Sequence, residues 1–335
     1  MICALMPPSI VLVTEPEFRR GDVVFVSSPR FTFMPAPSEE AALVHAIGES
    51  GARHVIVGGQ PYRDALYAAL PRGSVVARFG VGHEWIDKGK ATAAGLLCTN
   101  TPSVLDQSVA ELTFLLVAAA ARRLTAIAGA MRDGQWTPQL GVELRGKTLT
   151  IVGAGRIGQA VAHIAKRGFE MRVIGCRRKG SSAPMPATGD FDLVTDDVSE
   201  ALGQADFVSL LIPGVPANAH FINRERLALC QPHAWLINTA RGAVLDEVAL
   251  YDALAEQRLG GAALDVFDRE PYQPVDPRRD LRTLPNVILT PHVGSTTPEA
   301  NRGMAERAVQ NIAWAEEKAF ARMDLLNPDV LANTG

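Results

Sequence analysis

Short runs of β-branched and apolar residues alternate with longer helix-patterned stretches along almost the whole chain. Residues 10–13, 54–57, 75–79, 149–152, 171–174, 207–212, 235–238, 262–266 and 287–290 are predicted strands. Between them, residues 38–49, 157–167, 246–257 and 298–318 carry helical patterns, with Asn223 and Asp246 as N-caps. Such alternation argues for parallel sheets covered by helices on both faces, the doubly wound α/β class. At about 150 residues per domain, a chain of 335 residues makes about two domains, each able to bury its own core. One long helix is predicted over residues 105–131. Its Ala-rich first half needs burial on several sides, as an inter-domain core helix that also serves a subunit interface. Residues 133–145 and 180–190, rich in Gly, Pro and polar side chains, are predicted surface connections.

Composition removes several classes of function. Hydrophobic residues make up 47% and charged residues 21%, values that exclude a disordered chain. A net charge of -3 gives no footprint for nucleic acid. Cys3, Cys98, Cys176 and Cys230 lie far apart without a CxxC pair, so neither a zinc site nor a disulfide framework is indicated, and no metal is expected. A reducing cytoplasm suits them. The apolar run 112–121 meets Arg122 and Arg123 too early for a membrane span of about 20 residues. The uncharged first residues lack a basic segment and contain Pro7 and Pro8, which argues against a secretory signal.

The strongest local signal is Gly153-Ala154-Gly155-Arg156-Ile157-Gly158, directly after the apolar run Leu149-Thr150-Ile151-Val152 and opening an amphipathic helix. Glycines in this pattern alone are weak, but between strand and helix they become informative. Gly153 permits the tight turn, Gly155 lets a pyrophosphate approach the backbone, and Gly158 lets helix and strand pack closely. The diphosphate then meets the positive helix N-terminus. About 20 positions on, an acidic residue would accept a hydrogen bond from an NAD ribose. The chain instead reads Cys176-Arg177-Arg178-Lys179, and Arg177 lies 19 residues after Gly158. A guanidinium can pair with a 2′-phosphate that a carboxylate would repel, so NADP is preferred over NAD; the competing reading is a solvated basic turn.

In an open α/β sheet, ligands bind beyond the carboxyl ends of the strands. Arg241 in Asn238-Thr239-Ala240-Arg241-Gly242, Glu270 in Asp268-Arg269-Glu270-Pro271 and His292 in Thr290-Pro291-His292-Val293 each follow a predicted strand. Strand direction alone puts all three at the edge that holds the glycine turn. Hydride transfer to a ketone builds negative charge on its oxygen, and a histidine can deliver the proton. A carboxylate beside the imidazole favours its protonated form, while an arginine can bind a substrate carboxylate and polarise the adjacent carbonyl. Singly, each has a structural reading; together beside a dinucleotide turn they point to catalysis. His45, His54 and His163 fit structural roles, whereas His83, after Gly80-Val81-Gly82, either borders a substrate or only ends that loop.

At these residues the chain resembles the D-isomer-specific 2-hydroxyacid dehydrogenases. The resemblance rests on Glu143-Leu144-Arg145-Gly146-Lys147-Thr148-Leu149 leading into the glycine turn, on Asn238 to Gly242 with Asp246-Glu247, on Ala263-Leu264-Asp265-Val266-Phe267 with Glu270-Pro271, and on Thr290 to Ser295. It implies that Arg241 binds and orients the substrate, that His292 donates or accepts the proton, and that Glu270 pairs with it. Asp265 would hold the nicotinamide carboxamide. Arg156, Ile157, Pro213, Thr239, Ala240 and Gly294 would join the glycines, Arg177 and Arg178 around the cofactor. The backbone amides of Val81 and Gly82, with Gly59 beside them, would bind the substrate carboxylate.

The same resemblance implies a Rossmann cofactor domain of residues 103–296, inserted into a discontinuous flavodoxin-like substrate domain of residues 1–102 and 297–335. A substrate cleft would lie between them, and a cytoplasmic homodimer would form through the cofactor domains. Two departures stand out. Gly214-Val215-Pro216-Ala217-Asn218 replaces a Thr-rich segment, and the stretch from Glu270 to His292 is longer than usual, with Asp276-Pro277-Arg278-Arg279-Asp280 expected as surface decoration.

The leading expectation is therefore an NADP(H)-preferring reductase of a small 2-keto acid such as glyoxylate or hydroxypyruvate. One alternative is an NAD-dependent 3-phosphoglycerate dehydrogenase without a regulatory domain, with Arg63 as the phosphate partner. Another, of a different class, is a dinucleotide-sensing binding protein like the C-terminal-binding-protein corepressors. Formate dehydrogenases pair the histidine with Gln, so Glu270 argues against that chemistry.

Overall fold

A computed structural model describes residues 8–178, 180 and 189–333, and the chain divides into two compact units. The first comprises Met1–Leu105 with Thr296–Gly335 and the second Asp106–Ser295. In the first, β1 (Ser9–Thr14), β2 (Phe31–Ala36), β3 (His54–Val57), β4 (Val75–Arg78) and β5 (Leu97–Thr99) form a five-stranded sheet in the order β2-β1-β3-β4-β5. Every pair in it is parallel. The helix Pro298–Glu316 packs on β4 and on the helix Glu15–Ser27. The contact is close because Gly21 has no side chain: a Cβ there would lie 2.8 Å from Ala305 Cβ. Arg20 Nε donates to Asn301 Oδ1 across the same contact, at 2.9 Å.

The second unit contains β6 (Thr148–Val152), β7 (Arg172–Cys176), β8 (Leu193–Thr195), β9 (Phe207–Leu210), β10 (Trp235–Asn238), β11 (Gly261–Leu264) and β12 (Val287–Leu289). Their order, β12-β11-β10-β9-β6-β7-β8, reverses direction between β6 and β9, which is the switch point where doubly wound sheets bind ligands. Side chains alternate between faces as the strand period requires. Leu149 and Ile151 pack with Phe114, Val117 and Val161, while Val152 joins Leu202, Leu236 and Leu250 on the other face. Burial on both faces explains why these strands read as continuous apolar runs.

The expected single helix over 105–131 is instead two, Asp106–Ala121 and Leu124–Arg132, bent by 69°. The break falls at Arg122-Arg123, where Arg123 takes a left-handed φ of 50°. The cause is a change of environment. The first helix is buried on several sides, whereas the second has no buried residue. The returning chain also ends the first helix, because the Val142 amide donates to Ala121 O at 2.9 Å.

The stretch after Glu270 is not mere decoration. Leu281 is fully buried, and Arg279 Nε holds Asp252 of the helix Glu247–Ala255 at 2.7 Å. Of the connection expected at 180–190, residues 181–188 lie outside the described residues, while Asp190 is buried against Arg167 and His163. Asn223 and Asp246 cap their helices as expected, accepting from the Arg226 and Ala249 amides.

Candidate active site

The glycine turn shows why each position is bare. Gly153 has φ +116°, and a Cβ there would meet Leu211 O at 2.4 Å. A Cβ on Gly158 would meet Gly153 O at 2.2 Å, so the helix Arg156–His163 sits directly on the turn. Gly155, the N-cap of that helix, faces open space, with nothing within 4 Å of an added Cβ. The arrangement leaves room for a phosphate at the helix N-terminus, where unpaired amides and the helix dipole favour an anion. Beside it opens a cavity of about 660 Å³ lined by Gly153, Gly155, Arg177, Arg178, Pro213 and Arg226, among others. This volume lies within the ~300–1,000 Å³ common for small-molecule sites. The residues present fit a nicotinamide dinucleotide.

Asp196 and Asp197 also line this cavity, although Asp197 is engaged as an N-cap by the Glu200 amide at 3.0 Å. Arg156 points its Nε at Asp106 Oδ2, at 2.8 Å.

The ends of β10, β11 and β12 carry the ionisable groups. His292 Nδ1 lies 2.6 Å from Glu270 Oε2, while Glu270 Oε1 accepts from the Phe267 amide at 3.0 Å. With Nδ1 tied to the carboxylate, Nε2 of the half-exposed ring is the edge offered to a ligand. Burial opposes charge on Glu270, yet the His292 ring, the Phe267 amide and the nearby Arg241 guanidinium outweigh it and hold the carboxyl below its ordinary range.

His292 adopts a left-handed φ of 53°, sparsely populated for a residue with a side chain. Asp265 holds it there. Oδ1 accepts from the Thr290 hydroxyl at 2.6 Å and the Val293 amide at 2.9 Å, and Oδ2 from the Gly294 amide at 2.9 Å.

Arg241 is braced by its own turn. Asn238 Nδ2 donates to Arg241 O at 2.9 Å, and Asn238 Oδ1 accepts from the Ala240 amide at 3.1 Å. Gly214 lies under the arginine stem, since a Cβ there would meet Arg241 Cγ at 2.8 Å. Thr239 is buried, with its hydroxyl 2.7 Å from that of Thr113.

In the first unit, Gly59, Val81 and Gly82 follow β3 and β4. Three successive carbonyls are tied back: Gly80 O by the Thr101 amide at 3.0 Å, Val81 O by Asn100 Nδ2 at 2.8 Å, and Gly82 O by Arg78 Nε at 2.9 Å. In a trans peptide the N–H points opposite its carbonyl. The amides of Val81, Gly82 and His83 are therefore turned away from those donors, a backbone arrangement suited to an anion.

The second unit thus brings Arg241, Glu270, His292, Asp265 and the glycine turn to one sheet edge. Sequence reading named Asn238, Gly214, Gly242 and Glu247 within its motifs and departures but gave none of them the supporting role the structure shows. Gly242 is the most demanding, because a Cβ there would lie 1.9 Å from the Phe267 carbonyl carbon. Only its place in the motif Asn238 to Gly242 signalled it.

The family profile described as D-isomer specific 2-hydroxyacid dehydrogenase, NAD binding domain, matches residues 114–294. A glyoxylate reductase of Thermococcus litoralis is 39% identical over 310 residues, 90% of each chain. A D-3-phosphoglycerate dehydrogenase of Methanocaldococcus jannaschii is 39% identical over 81% of this chain but only 50% of its own length. The crystal structure of an NADPH-dependent glyoxylate/hydroxypyruvate reductase from Sinorhizobium meliloti superposes with a TM-score of 0.78 at 28% identity, covering 91% of this chain and 94% of that one. The chain belongs to the D-isomer-specific 2-hydroxyacid dehydrogenase family, as an oxidoreductase that uses a nicotinamide dinucleotide and acts on a CH–OH group.

Proposed function

We propose that this enzyme reduces a small 2-keto acid, glyoxylate or hydroxypyruvate, to the D-2-hydroxy acid with NADPH. The observation that carries the reading is the His292–Glu270 pair, 2.6 Å apart, at the edge that also holds Arg241 and the glycine turn. The bound dinucleotide supplies the hydride. His292 Nε2 gives its proton to the carbonyl oxygen as negative charge builds there. Glu270 orients the ring and stabilises the imidazolium before the proton leaves. Arg241 binds the substrate carboxylate and polarises the neighbouring carbonyl.

Arg177 and Arg178, at the end of β7 and on the cavity wall, support selection of a 2′-phosphate. Dimerisation through the second unit is supported by the helix Leu124–Arg132, which has no fully buried residue, and by Trp136 and Leu140 beyond it, 85% and 93% exposed. Among the described residues no single helix is long and apolar enough to cross a membrane, and cytoplasmic residence completes the reading.

The test is a reductase screen of glyoxylate, hydroxypyruvate, pyruvate and phosphohydroxypyruvate with NADH and NADPH in parallel. Turnover of the first two with NADPH is expected, and Arg177→Asp should raise the KM for NADPH roughly tenfold or more. An unchanged KM would remove the cofactor assignment. Preference for phosphohydroxypyruvate and NADH would favour 3-phosphoglycerate dehydrogenase, a reading that the Methanocaldococcus relative supports. Dinucleotide binding without any turnover would favour a sensing role.

A further inference from the structure

We propose that Glu247 is a positioning residue that clamps the 267–270 turn and thereby holds Glu270 against His292. The inference rests on the catalytic reading of the His292–Glu270 pair and extends it to a side chain that touches neither substrate nor cofactor.

Glu247 opens the helix Glu247–Ala255 and is only 6% exposed. Its Oε1 accepts from the Asp268 amide at 2.7 Å, next in the chain to the Phe267 amide that Glu270 Oε1 takes. Two carboxyl groups thus grip consecutive amides of one turn, one from the helix and one from the residue that contacts His292. Gly242 closes the third side, with no space for a side chain against Phe267 and Asp268. On the remaining side, the Tyr272 ring packs on Phe267 at 4.7 Å between centroids. The turn has little freedom so long as the Glu247 contact stands.

The second oxygen gives the device its chemistry. Glu247 Oε2 is buried and has no hydrogen-bond partner among the described residues. A charged oxygen in that position would be costly, whereas a protonated one carries no charge. Burial raises the carboxyl above its ordinary range. The charges of Asp268 and Glu270 add to the rise, and the Asp268 amide and Arg269 oppose it. Tyr272 is the other titratable neighbour. In either protonation state Oε1 can accept from the Asp268 amide, so the clamp on the turn stands on that bond.

The test compares Glu247→Met, which fills similar space without an acceptor, with Glu247→Gln, which keeps a neutral acceptor. Each is assayed with glyoxylate and NADPH over pH 5 to 9, with NADPH affinity measured separately by fluorescence titration. For Glu247→Met, kcat should fall roughly tenfold, as expected for a misplaced catalytic group. The basic limb of its kcat profile should move to lower pH, because a displaced Glu270 no longer favours the imidazolium; NADPH affinity should hold. Glu247→Gln should stay within about threefold of wild type with its limb in place. Glu247→Ala serves as the loss variant if the Met protein does not fold. Wild-type kcat and pH profile in the loss variant would overturn the inference, as would a Gln protein impaired as severely as it. His292→Ala in the same assay separates the two readings: full activity there refutes the catalytic assignment itself. Loss there with an unaffected Glu247→Met refutes only the clamp.

Discussion

The placement of Arg241 and Glu270 depends on neighbouring residues that cannot change size. Gly242 leaves backbone against backbone beneath the Glu270 turn, and Gly214 leaves space for the Arg241 stem. The proposed proton donor and anion binder should respond differently to removal. His292→Ala is expected to lower kcat on the order of a hundredfold while NADPH affinity holds, the usual result of losing a general acid. Arg241→Ala should damage both KM for the keto acid and kcat, since ground and transition states both use it. Steady-state kinetics on the substrate found in the screen checks both, and wild-type efficiency in either variant would mean the site is misplaced. These three residues were legible because titratable side chains just past predicted strand ends must share an edge. The supporting roles of Asn238, Gly214 and Glu247 were not legible, although all three stand in the segments quoted, because each role depends on contacts made only by folding.

Elements were legible in proportion to their burial. The strands β3 and β10, buried inside their sheets, have the expected boundaries, residues 54–57 and 235–238. The three strands absent from the sequence reading, β2, β5 and β8, all lie at sheet edges. They are short or carry polar residues and Pro35, as edges do where pairing is weakest. The helix Glu15–Ser27 escaped notice for a related reason: Pro16 begins it and Gly21 departs from helical geometry within it. At the glycine turn, element packing and cofactor binding share one contact. Gly158→Ala should push the helix Arg156–His163 off Gly153, at a cost of about 1–3 kcal/mol typical of overpacking. A lower melting temperature together with weaker NADPH binding is expected. A variant that melts and binds as wild type would show that the turn tolerates a methyl group.

Across the whole molecule, the two sheets follow the strand orders of the flavodoxin-like and Rossmann patterns; the doubly wound α/β class they share was legible from alternation, the two particular patterns only from the family resemblance. Acid stability was not legible, because it depends on a histidine whose surroundings come from distant segments. His54 is 1% exposed, and its Nδ1 accepts from the Val75 amide at 3.0 Å, so protonating that nitrogen would break the bond. Burial pushes its pKa from an ordinary 6.5 down to about 4; Arg53 reinforces this and Glu316 opposes it. Between those values the unfolded chain binds a proton that the folded one refuses, so stability should decline as pH falls from 6.5 towards 4. Melting curves across that range check this, with His54→Gln expected to decline less steeply; an identical slope would exclude His54 as the cause.

The seat of the helix Pro298–Glu316 against Gly21 and Arg20 has a consequence for the order in which the protein can be made. Residues 106–295 leave the ribosome as one uninterrupted stretch, and that unit can close its core during synthesis. The first unit must wait. Its early strands are translated first, but Arg20 meets Asn301 only after the intervening unit has been made. The segment synthesised earliest therefore completes its packing last, and until then its apolar surfaces are the part of the nascent chain most in need of protection.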